Sequence, residues 1–423
     1  MKKSFNCILG FILSGCLGVI LLTQVSACNN NTSTQEPKPE DFVRIDGQNL
    51  IKPDGEKLFI VGTNLGNWLN PEGYMFGLRN TSSAGFINTM LCELVGPDVT
   101  ADFWKAYKEN YISEEDIRFI ASQGANTVRL PFHYKLFTDE DYMGLSSDQD
   151  GFLIVDRLVE WCRNAGLYLI LDMHDCPGGQ TGDNIDDSYG YPWLFESPAS
   201  RELFKDIWRR IAEHYADESV ILGYELMNEP IATYFDDKHF NPMLEPLYKE
   251  TVAEIRKVDR NHIIILGGPQ WNSRFDNFSD WSFDDKIMYS CHRYGGDACK
   301  EAIGNFSAFR DKTGLPMYMG EIGHNTTEWQ NAFCNAMREL NIGWTFWPYK
   351  KMGDSCMMGI EIPEGWQAIV DFAEGDRSSY AAIREHRPDQ EAARASLEEF
   401  LVKCRFENCI PQTDYINSIQ LDQ

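Results

Sequence analysis

The sequence lacks a Cys-x-x-Cys pair although it contains 12 cysteines, which argues against a zinc ribbon or a thioredoxin-like redox motif. It is also poor in basic residues, with 38 lysines and arginines against 64 aspartates and glutamates. The formal net charge is −26 and no basic stripe is present, so a nucleic-acid partner is not expected. This charge suits a soluble protein whose substrate is neutral or cationic.

Residues 1–27 combine two lysines, an apolar run and small residues before Cys28, a pattern typical of a secretion signal. The ending "VSAC" resembles a bacterial lipobox, which implies cleavage before Cys28 and lipidation of its thiol. An ordinary signal peptide with Cys28 left free is the alternative. We expect a lipoprotein of the outer membrane or cell surface, or else a periplasmic or secreted protein, with no membrane contact except this anchor. Palmitate labelling that persists in Cys28→Ala would refute lipidation there.

The polar, proline-containing residues 28–41 predict a flexible tether. Residues 42–423 contain no further linker or repeat and predict one domain, which we expect to be a monomer. Export permits disulfides, and Cys291 with Cys299, or Cys404 with Cys409, are close enough in sequence to bridge. Spacing alone does not establish either pairing.

Eight short apolar runs alternate with longer amphipathic stretches along this domain. The apolar runs are residues 58–68, 126–132, 168–175, 221–230, 262–269, 286–294, 316–323 and 343–349. A helical pattern beginning with a Ser-x-x-Asp cap at Ser113 and ending at Gly124 is one of the segments between them. Eight buried strands separated by helices predict an α/β fold, a single (β/α)8 TIM barrel with long loops at the C-terminal face of the strands.

Charged side chains stand at or near the ends of several predicted strands, where such a barrel builds its active site. These residues are Arg129, His174, Glu229, His292 and Glu321. Ordinary strand-to-loop boundaries would carry serine, asparagine, glycine and aspartate instead. Glu229 closes the fourth run and Glu321 lies near the end of the seventh, so their carboxyl groups can converge across the barrel mouth. Paired carboxylates of this kind serve glycoside hydrolysis.

The motifs "LMNEP" and "MGEIG", which contain these two glutamates, resemble those of glycoside hydrolase family 5. Five further stretches match the family in order: "GTNLGNWLNPEG", "GANTVRLPFHY", "ILDMHD", "CHRY" and "GWTFWPY". The resemblance implies a retaining enzyme that cleaves a β-linked glycan without a cofactor, with Glu229 as acid/base and Glu321 as nucleophile. Retention predicts carboxyl groups about 5–5.5 Å apart, whereas about 8–9 Å would indicate inversion.

The same motifs supply candidates for substrate binding: Arg129, His174, Asn228, His292, Tyr294 and Trp347. We expect Asn228 to bind the sugar 2-hydroxyl, a contact that strengthens in the transition state. A cation and a hydroxyl donor favour the charged form of a carboxylate, so Arg129 and Tyr294 could hold Glu321 ionised. Arg129 could instead neutralise a buried Glu225, and both roles could coexist.

The two histidines and the tryptophan have less specific roles. His174 and His292 could donate to sugar hydroxyls or tune Glu229, and Trp347 offers a flat apolar face to a pyranose ring. His174 follows Asp172 at strand spacing, so a purely structural buried pair is the alternative. No active-site metal is expected, because the first strand lacks the His-x-His pair typical of metal-dependent barrel hydrolases.

Two long segments follow the first and third predicted strands, at residues 69–112 and after residue 175. The second supplies possible sugar-hydroxyl partners in Asp183, Asn184, Asp186 and Asp187, which could equally be solvated charges or part of a structural cation site. Such loops could turn an open cleft into a pocket, so we expect attack on chain ends, with endo action as the alternative.

The sequence does not name the sugar. The departures "PYKKM" and "GEIGHN" from the commonest cellulase pattern make plain cellulose a doubtful substrate. A furanosidase on the same machinery and a non-catalytic glycan-binding lipoprotein remain alternatives, although the intact Glu229 and Glu321 favour an enzyme. Turnover of an aryl-glycoside panel distinguishes the two classes.

Overall fold

A computed structural model describes residues 38–183 and 185–421 of the chain. The expected signal peptide, the lipidation site Cys28 and all but the last residues of the expected tether lie outside this part. Within the described residues, no helix combines the length and the apolar character that crossing a membrane requires. All nine cysteines of the described part are free thiols, so neither suggested bridge is formed.

Eight parallel strands close into a barrel, which confirms the predicted fold. In chain order they are β1 (Val61–Asn64), β2 (Thr127–His133), β3 (Tyr168–Asp175), β4 (Ile221–Glu225), β5 (Ile263–Gly267), β6 (Ile287–His292), β7 (Met317–Gly323) and β8 (Gly343–Trp347). Each strand pairs with its neighbours in sequence, and β8 closes the ring by pairing with β1, with Trp344 opposite Val61. All eight predicted apolar runs therefore contain a barrel strand, and the polar ends of the strands meet at one mouth.

Helices surround the barrel. Those between its strands are Ala84–Val95, Pro97–Tyr111, Glu114–Ser122, Asp150–Ala165, Pro198–Tyr215, Asp237–Ile255, Pro269–Asn272, Gly304–Thr313 and Thr327–Glu339. Those after β8 are Trp366–Glu374, Tyr380–His386, Gln390–Lys403 and Thr413–Ser418. The shorter 3₁₀ turns are Pro39–Asp41, Gly73–Phe76, Tyr134–Phe137, Trp193–Phe195, Lys300–Ile303 and Phe406–Asn408. The β5–β6 connection has only one short turn where a full helix would normally lie.

A small sheet of Arg44–Asp46, Asn49–Ile51 and Lys57–Leu58 precedes the barrel. Its buried apolar side chains join those of Ile170 and Ile265, in strands β3 and β5, in one hydrophobic cluster. Because apolar side chains fill this part of the barrel, the buried polar groups collect around the other end of the strands. The site described below lies there.

The segment after β8 covers the long segment that follows β1. The Trp366 indole donates to the carbonyl of Phe76 at 2.8 Å, and Glu374 accepts from the backbone N–H of Asn80 at 3.0 Å. A second small sheet, of Lys350–Met352, Met358–Ile360 and Ile410–Pro411, belongs to the same region. The loop that borders the barrel mouth after β1 is thus fixed by the C-terminal residues.

Candidate active site

The strand that leads to Glu229 ends sooner than the apolar run 221–230 indicates. Strand β4 stops at Glu225, and the next residues leave the regular ladder although the N–H of Asn228 still donates to Met173 O at 3.1 Å. Glu229 itself has φ = 43°, in the left-handed region that non-glycine residues seldom occupy. Strained backbone of this kind clusters at functional sites, where it sets the direction of a side chain.

Glu321 lies in β7 and is held by two donors. Arg129 Nη1 donates to its Oε1 at 2.7 Å, and the Tyr294 hydroxyl donates to its Oε2 at 2.7 Å. Its side chain is only 5% exposed. A guanidinium and a hydroxyl donor both stabilise the charged carboxylate. The arrangement therefore presents a carboxylate at the barrel mouth that is fixed by a guanidinium and a hydroxyl donor.

Arg129 is fully buried and serves two carboxylates besides Glu321. Its Nε and Nη2 donate to Glu225 Oε2 and Oε1, both at 3.0 Å, and Nη2 lies 3.0 Å from Asp172 Oδ2. Asn64 Oδ1 accepts from Nη1 at 3.0 Å. A two-point carboxylate contact fixes the plane of a guanidinium. Both roles that the sequence suggested for Arg129 are thus geometrically present together.

Asn228 connects Arg129 to His174. Its Oδ1 accepts from Arg129 Nη2 at 2.9 Å, and its Nδ2 lies 3.3 Å from His174 Nε2. Asp172 Oδ2 is 2.8 Å from His174 Nδ1, the buried pair that the strand spacing left open. Gln180 donates to the Asn228 carbonyl at 2.8 Å and fixes the segment before Glu229.

Glu229 is paired with a histidine and lies in a desolvating environment. Its Oε1 is 2.9 Å from His292 Nδ1, while Asn272 Nδ2 lies 3.1 Å from the other ring nitrogen. Burial lowers the pKa of His292 to about 4, so the ring is neutral at pH 7. Burial also raises the pKa of Glu229 to about 7, an effect that the nearby charges of His174 and Arg129 offset only in part. Glu229 can therefore carry a proton near neutral pH.

The two glutamates converge as paired groups. A carboxylate oxygen of Glu229, one of Glu321 and a ring nitrogen of His292 all lie within 4.8 Å of one another. By distance alone these three atoms could also hold a cation. One carboxyl group is poised to be protonated and the other is stabilised as an anion, which is the pairing that acid-assisted nucleophilic displacement requires.

Trp347 belongs to the same cluster but has little free surface. Its ring stacks on His174, with centroids 5.2 Å apart and planes at 3°, and its N–H donates to the Tyr74 hydroxyl at 2.6 Å. A side chain at Gly66 would come within 2.8 Å of the ring, so only glycine fits there. Trp347 is 2% exposed, and its role as a stacking face for sugar stays a prediction.

The acidic residues of the β3–β4 loop mostly hold the loop itself. Asp186 Oδ2 accepts from the N–H of Thr181 at 2.7 Å, and Asp187 Oδ1 accepts from the Ser83 hydroxyl at 2.7 Å. Asn184 lies outside the described residues. Asp186 and Asp187 thus form hydrogen bonds within the protein, and a sugar-binding role for them stays a prediction.

A cavity of about 680 Å³ opens beside Glu229. It is lined by Asp183, Ile185, Glu229, Thr233, Gln270, Trp271, Ser273, His292, Arg293, Tyr294, Gly295, Gly296, Asn305 and Phe306. Its size suits one or a few sugar rings with a mixture of aromatic and polar walls.

Sequence reasoning missed three residues of the cluster: Asn64, Asn272 and Tyr74. Asn64 ends β1, so the strand-end argument applied to the other strands could have found it. Asn272 lies in the short β5–β6 turn and Tyr74 in the long segment after β1, where no periodicity marks a functional position.

The chain matches one protein family and is similar in sequence to several known proteins. A family model described as "Cellulase (glycosyl hydrolase family 5)" matches residues 80–353. The chain is 27% identical over 360 residues to a beta-xylosidase of Phanerodontia chrysosporium, covering 75% of this chain and 73% of that protein. It is 28% identical over 312 residues to endoglucanase C of Acetivibrio thermocellus, covering 59% of this chain and 87% of that protein.

Among solved structures, the fold is similar to that of endoglucanase Cel5A from the hyperthermophilic Thermotoga maritima. The TM-score is 0.51 at 16% sequence identity, with 74% of this chain and 96% of that chain covered. At this identity the likeness supports the barrel fold alone.

Proposed function

Because the chain belongs to glycosyl hydrolase family 5 and is therefore a glycoside hydrolase, we propose that it cleaves a β-glucan with retention of anomeric configuration. The observation that carries this proposal is the approach of the Glu229 and Glu321 carboxylate oxygens to within 4.8 Å. Retaining enzymes place their carboxyl groups about 5–5.5 Å apart, whereas inverting enzymes leave about 6.5–9.5 Å for a water molecule. The relatedness to endoglucanase C supports a glucan as substrate.

In the first step protonated Glu229 gives its proton to the glycosidic oxygen while Glu321 attacks the anomeric carbon. The C–O bond to the leaving sugar breaks, and an ester between Glu321 and the glycone forms. In the second step ionised Glu229 takes a proton from water, whose oxygen attacks the same carbon and releases Glu321. Two inversions at one carbon give net retention. We assign Asn228, the residue before Glu229, to binding the 2-hydroxyl.

The experiment that tests this proposal follows product configuration by proton NMR during hydrolysis of a soluble β-glucan. The β-anomer is expected first, with the α-anomer appearing only at the rate of mutarotation. Mannans, xylans and aryl furanosides serve as competing substrates in the same assay. Early formation of the α-anomer would show inversion, and faster turnover of a furanoside would assign a different substrate class.

We further propose that the enzyme acts at chain ends and that the segment after β1 closes one side of the site. The Tyr74 hydroxyl accepts from Trp347 Nε1 at 2.6 Å and lies 3.0 Å from His324 Nε2. These contacts join the segment after β1 to the ends of β7 and β8. The cavity on the Glu229 side stays open, and Glu229 protonates the leaving group. A short glycone therefore occupies the closed side, and the remaining chain leaves through the open one.

Tyr74→Ala is expected to convert this pocket towards a cleft. Wild-type enzyme should release one product size from the start of a β-glucan digest, with little loss of viscosity. The variant should give mixed oligosaccharides and a viscosity loss several-fold larger per bond cleaved, because a longer glycone can now pass. Tyr74→Phe keeps the ring but removes both hydroxyl contacts, so it separates the effect of the ring from that of the hydrogen bonds. Mixed products from the wild type itself would show endo action and end this proposal.

A further inference from the structure

Three side chains that the hydrolytic mechanism does not use meet at the ends of β2 and β3. His133 Nε2 lies 3.1 Å from Asp175 Oδ2 and 3.2 Å from Asp187 Oδ2. His133 and Asp175 are buried, and the Asp187 side chain is 17% exposed. One nitrogen and two carboxylate oxygens thus converge within 4.8 Å.

The charge of this cluster is not balanced by the protein. In the described structure no lysine or arginine forms an ion pair with Asp175 or Asp187. His133 Nδ1 accepts a hydrogen bond from the N–H of Lys135 at 3.1 Å, so Nδ1 carries no proton and the ring is neutral in this geometry. Two carboxylates and a neutral imidazole leave a negative charge with little solvent to screen it, and burying unpaired charge is costly.

The carboxylates of Asp175 and Asp187 favour a positive charge at His133 Nε2. A second ring proton would point at the Lys135 N–H and break that hydrogen bond. A cation bound at Nε2 supplies the positive charge and keeps the hydrogen bond.

A buried oxygen of the cluster supports this reading. The Asp175 carboxyl faces His133 through Oδ2, while its Oδ1 has no hydrogen-bond partner in the described structure. Buried polar atoms are nearly always satisfied, so orphaned carboxylate oxygens indicate a missing ion or water.

We propose that His133, Asp175 and Asp187 form a binding site for a divalent transition-metal ion of the Zn²⁺ or Mn²⁺ type. An imidazole nitrogen with two carboxylates suits these ions, whereas Ca²⁺ and Mg²⁺ prefer sites made of oxygen alone. The Lys135 N–H that bonds to Nδ1 directs Nε2 to the metal, as outer-shell partners of metal-bound histidines do. The site shares no residue with the hydrolytic machinery, so it stands whether or not the chain cleaves a β-glucan.

The ion would connect three segments of the barrel mouth. Asp187 also accepts from Ser83 Oγ at 2.7 Å and from the Gly85 N–H at 2.9 Å, which joins the β3–β4 loop to the segment after β1. Asp187 lines a cavity of about 660 Å³, which gives an ion a path from solvent. The inferred role is structural, holding the two long loops beside the active site.

The test uses the full chain, stripped with chelator and titrated with MnCl₂ or ZnCl₂. We expect one ion per chain by calorimetry, a bound Mn²⁺ signal in electron paramagnetic resonance, and a melting temperature raised by a few °C at about 100 times Kd. CaCl₂ should give a smaller shift. Asp187→Asn and His133→Gln should lose the ion and its thermal effect.

Two comparisons keep the outcome decisive. Glu321→Gln removes a ligand from the other carboxylate–histidine cluster and should bind the ion normally. Metal-free Asp187→Asn should melt no lower than metal-free wild type, because it relieves repulsion between unneutralised carboxylates. A metal-free Asp187→Asn that melts well below wild type, with no metal effect on either, would identify a charged His133 triad and overturn the proposal. Ion binding lost in Glu321→Gln would overturn it as well.

Discussion

Replacing Glu321 with alanine is expected to lower kcat/KM for an aryl β-glucoside by about 10⁵-fold, since loss of a nucleophile removes the covalent route altogether. The Tyr294 hydroxyl and one N–H of Arg129 Nη1, which now donate to this carboxylate at 2.7 Å each, would lose that acceptor, while Nη1 keeps its bond to Asn64 Oδ1. The remaining groups can still bind the sugar, so KM should change far less than kcat. Steady-state kinetics on the purified variant measures both.

The stereochemistry of rescue distinguishes this role from a merely structural one. Azide can enter the space left by Glu321 and attack the anomeric carbon of a substrate with a good leaving group. Because only one inversion then occurs, the product expected is the α-glycosyl azide. Glu398→Ala, at an exposed position of the helix Gln390–Lys403, is the matched control and should keep wild-type activity. Activity of Glu321→Ala within tenfold of wild type, or a β-azide product, would contradict the assignment.

The barrel was predictable because each of its strands is marked twice in the sequence. An apolar run identifies the strand, and a following amphipathic stretch separates it from the next. Two segments differ from this regular pattern of apolar run and amphipathic stretch. The β5–β6 connection carries no long amphipathic stretch and forms only the turn Pro269–Asn272. The run ending in Glu229 stays apolar after β4 has ended at Glu225, because Leu226 and Met227 remain buried while only single backbone hydrogen bonds, such as Leu226 N–H to Ile265 O at 3.1 Å, continue beyond the strand.

The site was predictable only in part. Strand-end position and motif together found Glu321, Arg129 and Tyr294, whose contacts are all in the structure. The Glu225 partner of Arg129 was among the sequence-based alternatives, but the contact of Asp172 with the same guanidinium was not, because ion pairs across a barrel interior depend on register between strands. The solvent exposure of aromatic side chains at strand ends was not predictable either. An aromatic residue at a strand end can face the sugar or be covered, and the 2% exposure of Trp347 results from a loop that no pattern places.

Glu229→Gln is expected to lower kcat/KM for an unactivated β-glucan by about 10²–10⁴-fold, the usual contribution of general acid catalysis. The loss in kcat/KM should be smaller for substrates whose leaving group has a lower pKa, because a dinitrophenolate departs without a proton. With such a substrate the first step stays fast and the glycosyl-enzyme accumulates, since no base activates water. Azide should then attack this intermediate and give the β-glycosyl azide, the opposite configuration from that expected for Glu321→Ala.

The pH profile connects this loss to the environment of Glu229. Burial raises the pKa of Glu229 to about 7, and the acid must be protonated in the free enzyme, so wild-type kcat/KM should fall about tenfold per pH unit above that value. Glutamine cannot titrate, so Glu229→Gln should lack this basic limb. Persistence of the limb in Glu229→Gln would assign the proton to another group. The nearest ring, His292, is a poor alternative because burial lowers its pKa to about 4, far below the expected limb.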